Sequence, residues 1–199
     1  MPDTGAPWNI PFLDGTELVR AYPDFSEDLA DAVAAGLTAA GNAGIGSNVV
    51  QTVKTDTFSS TLATYETVTG LTATITPSSA LSKVLVIAQV TLGISDTNRG
   101  VSIRLAGGNT STYIGDASGS QARVLSGMTM NSSFVLRDTL VNHTLVFLDS
   151  PDTTSQTTYE VTVAATSPAT VFVNRSGQTA NNVNFHRGAS SITAIEVAA

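Results

Sequence analysis

Two periodicities divide this chain. Between Phe25 and Ala40 the apolar residues Phe25, Leu29, Val33 and Leu37 recur four apart, and with Ala32, Gly36 and Ala40 they form one helical stripe. From Asn48 onward the period falls to two. Val101, Ile103 and Leu105 alternate with Ser102 and Arg104, and Tyr159, Val161 and Val163 alternate with Thr158, Glu160 and Thr162. Such alternation marks strands with one face buried. Lys83–Ile94 departs from it, because Val84–Ala88 is apolar on both faces, and His143–Leu148 is similar. Both are expected to be central strands.

Further strands are expected at Val49–Asp56, Leu62–Val68, Leu71–Thr76, Ser111–Gly115, Ala122–Ser126, Ser133–Arg137, Ala169–Asn174 and Ser190–Val197. Turn residues separate them at Val68-Thr-Gly70, Pro77-Ser-Ser79, Asp96-Thr-Asn98, Gly107-Gly-Asn109, Asp149-Ser-Pro-Asp152 and Asn174-Arg-Ser-Gly177. Many short strands with no helix-period segment between them predict a mainly β body. Its expected form is an antiparallel β-sandwich of jelly-roll type. No fixed-period repeat argues for a β-helix or a propeller.

The helix is expected over residues 24–40. Asp24 and Glu27 have capping-box spacing, Ser26 is an alternative cap, and Asp28 and Asp31 suit the positive end of the helix dipole. Gly41 is a natural stop. A helix of fewer than about five turns is marginal alone, so Phe25, Leu29, Val33 and Leu37 must dock on something or bundle with copies. Ahead of it, Pro2, Pro7 and Pro11 hold Trp8, Ile10, Phe12 and Leu13 on an extended strip that cannot form a core by itself. Trp8 is the sole tryptophan, a residue type favoured as an interface anchor. Gly41, Gly44 and Gly46 make 41–47 a hinge. The expected organisation is an N-terminal arm, 1–47, and a β-sandwich domain, 48–199.

Charge follows the same division. The formal charge is −7, and residues 1–31 carry −6 of it against −1 for the remainder. The arm's excess predicts a basic rim on whatever receives it, with docking weakened by salt. The nearly neutral body lets three copies sit side by side with little repulsion. Charged residues make up 13% of the chain, about half the usual share, and the surface offers little to bind phosphate. Nucleic-acid binding is therefore not expected.

No basic segment with an apolar run opens the chain, and no stretch approaches the ~18–20 apolar residues of a membrane helix. Cytosolic synthesis without membrane insertion is the expectation. The chain has no cysteine, which removes disulfides, thiolate metal sites and cysteine nucleophiles.

Catalytic chemistry finds no motif. His143 and His186 are the two histidines, and no Gly-x-Ser-x-Gly elbow is present to place a triad. In a trimer, one histidine per chain near the axis would make a metal ring. Asp96, Asp116, Asp149 and Asp152 fall mostly in turns, where Asx-turns explain them better than a calcium loop or a glycosidase pair. Tyr113, Tyr159, Phe172 and Phe185 are candidates to stack on sugars if exposed, although Tyr159 is in phase with buried Val161. No catalytic residue, resident metal or cofactor is expected.

Several segments carry a likeness. Met1-Pro-Asp-Thr-Gly-Ala-Pro-Trp-Asn-Ile-Pro11, Asp14–Arg20 and the acidic helix resemble the N-terminal region of tailed-phage fibre proteins. Val50-Gln-Thr-Val-Lys54, Ile75-Thr-Pro-Ser-Ser79, Lys83-Val-Leu-Val86, Phe147-Leu-Asp-Ser-Pro151, Val173-Asn-Arg-Ser-Gly177 and Arg187-Gly-Ala-Ser-Ser-Ile192 resemble a β-domain of phage virion proteins. The resemblance implies a homotrimeric fibre or spike in the virion, assembled in the host bacterial cytoplasm. Trp8, Ile10, Phe12 and Leu13 would dock the arm on a capsid or tail protein. Phe25, Leu29, Val33 and Leu37 would pack the helix. The β-body would face a host-surface glycan or protein through residues that remain unknown. With only 41–47 between the parts, the fibre would be short, on head or tail. A capsid decoration protein and a virion-bound carbohydrate-active enzyme stay open as alternatives.

Overall fold

The computed structural model describes residues 28–36, 45–129, 139–166, 168–178 and 183–198. The chain divides into two compact units, Met1–Ala43 and Gly44–Ala199. In the first, residues 28–36 form a helix, α1, with every residue exposed. Trp8, Ile10, Phe12, Leu13, Phe25 and Leu37 lie outside the described residues, as do the Asp24–Glu27 cap and the strand expected at Ser133–Arg137.

The second unit is built from β1 (Ile45–Lys54), β2 (Phe58–Ser60), β3 (Glu66–Ile75), β4 (Lys83–Ile94), β5 (Gly100–Ala106), β6 (Ser126–Thr129), β7 (Val141–Asp149), β8 (Thr157–Ala165), β9 (Val171–Val173) and β10 (Ser190–Val197). All pairings are antiparallel. In the first sheet β1, β10, β4 and β7 lie side by side, and in the second the order is β3, β8, β5, β6. Eight strands split in this order between two sheets make the expected jelly roll. The extra strands β9 and β2 extend the first sheet. β9 pairs with the end of β4, where Leu92 faces Val173 on one side and Val141 on the other. β1 starts at Ile45, inside the segment read as a hinge, because Val197 at the end of β10 offers it a partner.

The inner faces supply one core. Val84, Val86, Ala88, Val90 and Leu92 of β4 face Tyr159, Val161 and Val163 of β8 and Val101, Ile103 and Leu105 of β5. Ile192, Ala194, Leu145, Leu71 and Ile75 close it. Each large aliphatic side chain buried this way contributes about 1.5–3 kcal/mol relative to exposure. The alternation seen in the sequence is therefore the alternation of core and surface.

Three local expectations need correction. Val68-Thr-Gly70 is no turn between strands but a bulge inside β3: Thr67 faces Thr162 while Thr72 faces Glu160. Gly70, at φ +79°, absorbs the extra residues and lets Val68 and Leu71 both point inward. Ser111–Gly115 is not a strand. Thr110–Thr112 forms a 3-10 turn, fixed by Gly107 and Gly108 at positive φ. Ala122–Ser126 contributes only its last residue to β6, although Leu125 N–H still donates to Ile103 O at 3.1 Å.

Polar groups tie the sandwich where the strands run out. Asp149, fully buried at the end of β7, accepts from Tyr159 Oη at 2.6 Å and from Asn109 N at 3.1 Å, joining the first sheet to the second. Burial, then this carboxylate, pushes the Tyr159 pKa far up, so the phenol stays a donor. At another end, buried Asn174 sits at φ +63° and donates Nδ2 to the carbonyls of Lys54 and Asp56 at 2.8 and 2.9 Å. Its Oδ1 accepts from Ser190 Oγ at 2.6 Å. Replacing Asn174 by Ala strands these partners and puts a Cβ without local hydrogen bonds in the left-handed region. A loss of about 3–5 kcal/mol is expected in chemical denaturation. Asn174→Gly, free of the backbone strain, is expected to cost about 1 kcal/mol less.

Candidate assembly surface

The outer face of the first sheet is the unusual feature of the described body. Strand register sets it. Val49 of β1 lies opposite Ile195 of β10, Ile195 opposite Leu85 of β4, and Leu85 opposite Leu148 of β7. These side chains alternate with the core residues on their strands, so all four point away from the sandwich. The next row reads Gln51, Thr193, Ile87, Val146. Leu85, Ile87 and Ile195 are half-buried by their neighbours, whereas Val49, Val146 and Leu148 are 52%, 47% and 48% exposed. Residues directly opposite on adjacent strands stand ~5 Å apart, so the six apolar side chains form one patch rather than scattered contacts. Contiguous apolar surface of this kind is a candidate interaction site.

The patch is bounded along β4 by polar residues and then by two arginines. Beyond Ile87 the outward positions become Gln89, Thr91 and Gly93. The chain crosses over Gly93: a Cβ there would lie 2.4 Å from Arg175 O and 2.9 Å from Ser176 Cα. Only glycine permits that approach. Phe172, opposite Gly93, points outward between buried Val171 and Val173, and the Arg175 guanidinium covers its ring at 3.5 Å. Arg175 is also bridged in antiparallel fashion to Arg187. Burial, and then the Arg187 charge, lower the Arg175 pKa from its ordinary value.

The aromatic candidates for sugar stacking are mostly occupied. Tyr113 stacks on Phe147 at 4.9 Å, Tyr159 is buried, Phe172 lies under Arg175, and Phe185 is half-buried. Of the residues expected to pack the helix, Leu29 and Val33 are described and are 56% and 52% exposed. The outer-face patch escaped notice in sequence. Its signal was present in the two-sided apolar run of β4, but the partners come from positions far apart in the chain.

The titratable groups are structural in placement. His143 points between the sheets, its Nδ1 2.9 Å from Ser126 Oγ and its Nε2 buried without a partner among the described residues. His186 is exposed. Among the described residues no group of three His, Asp or Glu side chains converges to hold a metal. No described helix is long and apolar enough to cross a membrane. Glu196, fully buried at the end of β10, accepts from Ser78 N at 2.7 Å and Ser78 Oγ at 2.6 Å. Burial pushes its pKa up, but the Ser78 and Asn48 donors outweigh that and hold it below the ordinary value.

No protein-family model and no curated protein matches the chain. Among solved structures it is similar to infectious bursal disease virus of the Gx strain, with TM-score 0.36 and 14% identity over 77% of this chain and 39% of that one. The Gt strain gives TM-score 0.38 and 14% identity over 76% and 38%. The VP2 subviral particle of the same virus gives 0.34 and 15% over 77% and 38%. The chain thus spans about two fifths of the length of these proteins.

Acid should act in two steps. Burial lowers the folded-state pKa of His143 below 6.5, so the unfolded chain takes up the proton first and stability falls as pH drops through 6.5 toward the folded value. Glu196 has a folded pKa below 4.5; its contribution is present above 4.5 and lost as pH falls through the folded value. Urea midpoints measured from neutral into the acid range should show both losses. His143→Gln should remove the upper one, and Glu196→Gln the lower.

Proposed function

We propose that this chain is a non-enzymatic structural protein of a bacteriophage particle. In this reading it forms a short homotrimeric fibre or spike, fixed to the virion through Trp8, Ile10, Phe12 and Leu13 of its N-terminal arm. The β-sandwich is carried outward to meet the host surface, and assembly takes place in the host bacterial cytoplasm. The observation that carries the proposal is the open apolar face made by Val49, Ile195, Leu85, Leu148, Ile87 and Val146. A face of this kind is suited to packing against protein. The nearly neutral body permits close approach of copies, and the resemblance of the arm and body segments to phage fibre proteins supplies the setting.

A second reading is a capsid decoration protein that stabilises the particle and binds no receptor. What favours it is the state of the aromatic candidates, since Tyr159 and Phe172 are buried and one face of the Tyr113 ring is taken by Phe147. Particles lacking the protein separate the two readings. Loss of adsorption with intact particles supports the fibre, and loss of particle stability with normal adsorption supports decoration.

Mass photometry of the full chain should report three times the chain mass. Replacing Leu148 by Lys removes about 1.5–3 kcal/mol of apolar burial per contact, so association should weaken by at least about tenfold with the circular dichroism unchanged. A well-folded monomer for the parent chain would sink the assembly claim. Deleting residues 1–22 should leave the body folded and abolish incorporation into particles; truncated protein that still assembled onto them would refute the docking role.

A further inference from the structure

The fold gathers two of the body's few cations at one point. Arg175 and Arg187 are bridged in antiparallel fashion, and beside them Gly188 N donates to Asn174 O at 3.0 Å. With the hydrogen bonding carried by the flanking residues, the arginines form the closer kind of antiparallel pair. Their Cα atoms then stand about 4.5 Å apart, with both side chains on one face. Like charges directly opposite are destabilising.

One member of the pair is held in place. The Arg175 guanidinium lies 3.5 Å over the ring of Phe172, which is itself buried. The chain crosses over Gly93 at this point, where a Cβ would collide with Arg175 O. Stacking fixes the cation without neutralising it. Among the described residues neither arginine meets a carboxylate, and the ion pair there is Lys54–Asp56. Each guanidinium carries five N–H donors in a planar fork. Arg175 spends one of them, from Nη1, on Ser176 O at 3.4 Å.

We propose that Arg175 and Arg187 form a binding site for one tetrahedral oxyanion of the phosphate or sulfate class, whose oxygens accept from both guanidinium groups. The site is made from residues of the second unit alone, and the proposal does not depend on the homotrimeric reading.

Three arguments select this ligand. The first is charge: a dianion answers both arginines, whereas a single carboxylate answers one. The second is shape, because the guanidinium fork matches the spacing of phosphate oxygens and can engage two at once. The third is preorganisation. Arg175 is half-buried and already ordered by its stack on Phe172, so binding costs it little further freedom. Arg187 is exposed and can close on the anion from the other side. One pair suits a single group; a nucleic-acid strand needs a track of cations, which this nearly neutral body lacks.

Urea denaturation of the full-length protein tests the site, with sodium chloride exchanged for sodium phosphate at constant ionic strength and above neutral pH. A ligand that binds the folded chain alone raises its stability as concentration passes Kd. The parent midpoint should rise in this way. Arg187→Gln should follow only the general stabilising effect of phosphate, which both proteins share and which cancels in their difference. Loss of charged hydrogen bonds should weaken the apparent Kd at least about tenfold. Without phosphate the order should invert, with Arg187→Gln the more stable protein because the repulsion is gone. Arg187→Lys keeps the charge but not the fork, and should respond in between.

Equal phosphate responses in the parent and Arg187→Gln overturn the site. A parent whose own acidic residues already fill it would give that result. Arg187→Gln less stable by the same amount with and without phosphate also overturns it, since Arg187 would then be structural only. An equal response to acetate overturns the choice of a dianion. Glycerol phosphate in place of inorganic phosphate separates the sources. A matching response supports a phosphate group carried on a larger molecule, and a response to inorganic phosphate alone supports the free ion.

Discussion

A two-layer sandwich can bury one side of a strand, and β4 is apolar on both. That mismatch organises the body. β4 pairs with β10, β7 and β9, so every other strand of the first sheet is placed directly or indirectly by it. Its inward residues, Val84 to Leu92, are fully buried against the second sheet. Its outward residues Leu85 and Ile87 have only their lateral neighbours, and these too are apolar at Ile195, Leu148 and Val146. If the sheet were solvated on its outer face, the alternation would carry polar residues there, as β5 does with Ser102 and Arg104. The sheet pattern thus suits a further layer over this face, which the described strands do not supply.

The polar residues of the body sit elsewhere, at the ends of strands. Asp149 with Tyr159, Asn174 with Ser190, and Glu196 with Ser78 each place a buried polar side chain where backbone pairing stops. Each group there is satisfied by short hydrogen bonds, so burial costs little while geometry becomes specific. The inner apolar layer supplies the driving force; these ties fix the register and the entry of loops. They leave the outer face of the first sheet free to remain apolar, since nothing in the fold requires that face to carry a polar tie.

What could be read in sequence was whatever local period determines. Lys83–Ile94 and Ser190–Val197 emerge at their observed bounds, and the alternation around Val101 and Tyr159 places those side chains correctly. The jelly-roll order is consistent with short strands and turns but depends on pairings across the chain. The bulge at Gly70 looked like a turn because glycine serves both, and only the partner strand β8 decides between them. The outer-face rows were invisible for the same reason: Val49, Ile195, Leu85 and Leu148 become neighbours only through three registers. The arginine pair is legible only once Arg175 and Arg187 are bridged.

The charge division bears on the same face. Residues 1–31 carry −6 of the formal −7, so the remainder of the chain is nearly neutral and has few charges with which to select what covers its outer apolar rows. Two of those few are brought together by the fold: Arg175 and Arg187 are bridged directly opposite one another, and Arg175 is stacked on Phe172 at the far end of β4 from the apolar rows. Like charges held opposite each other are destabilising, so an anionic surface approaching this end would relieve a repulsion that a neutral or cationic one would leave in place. Specificity at such a face comes from that penalty as much as from the attraction of the apolar rows.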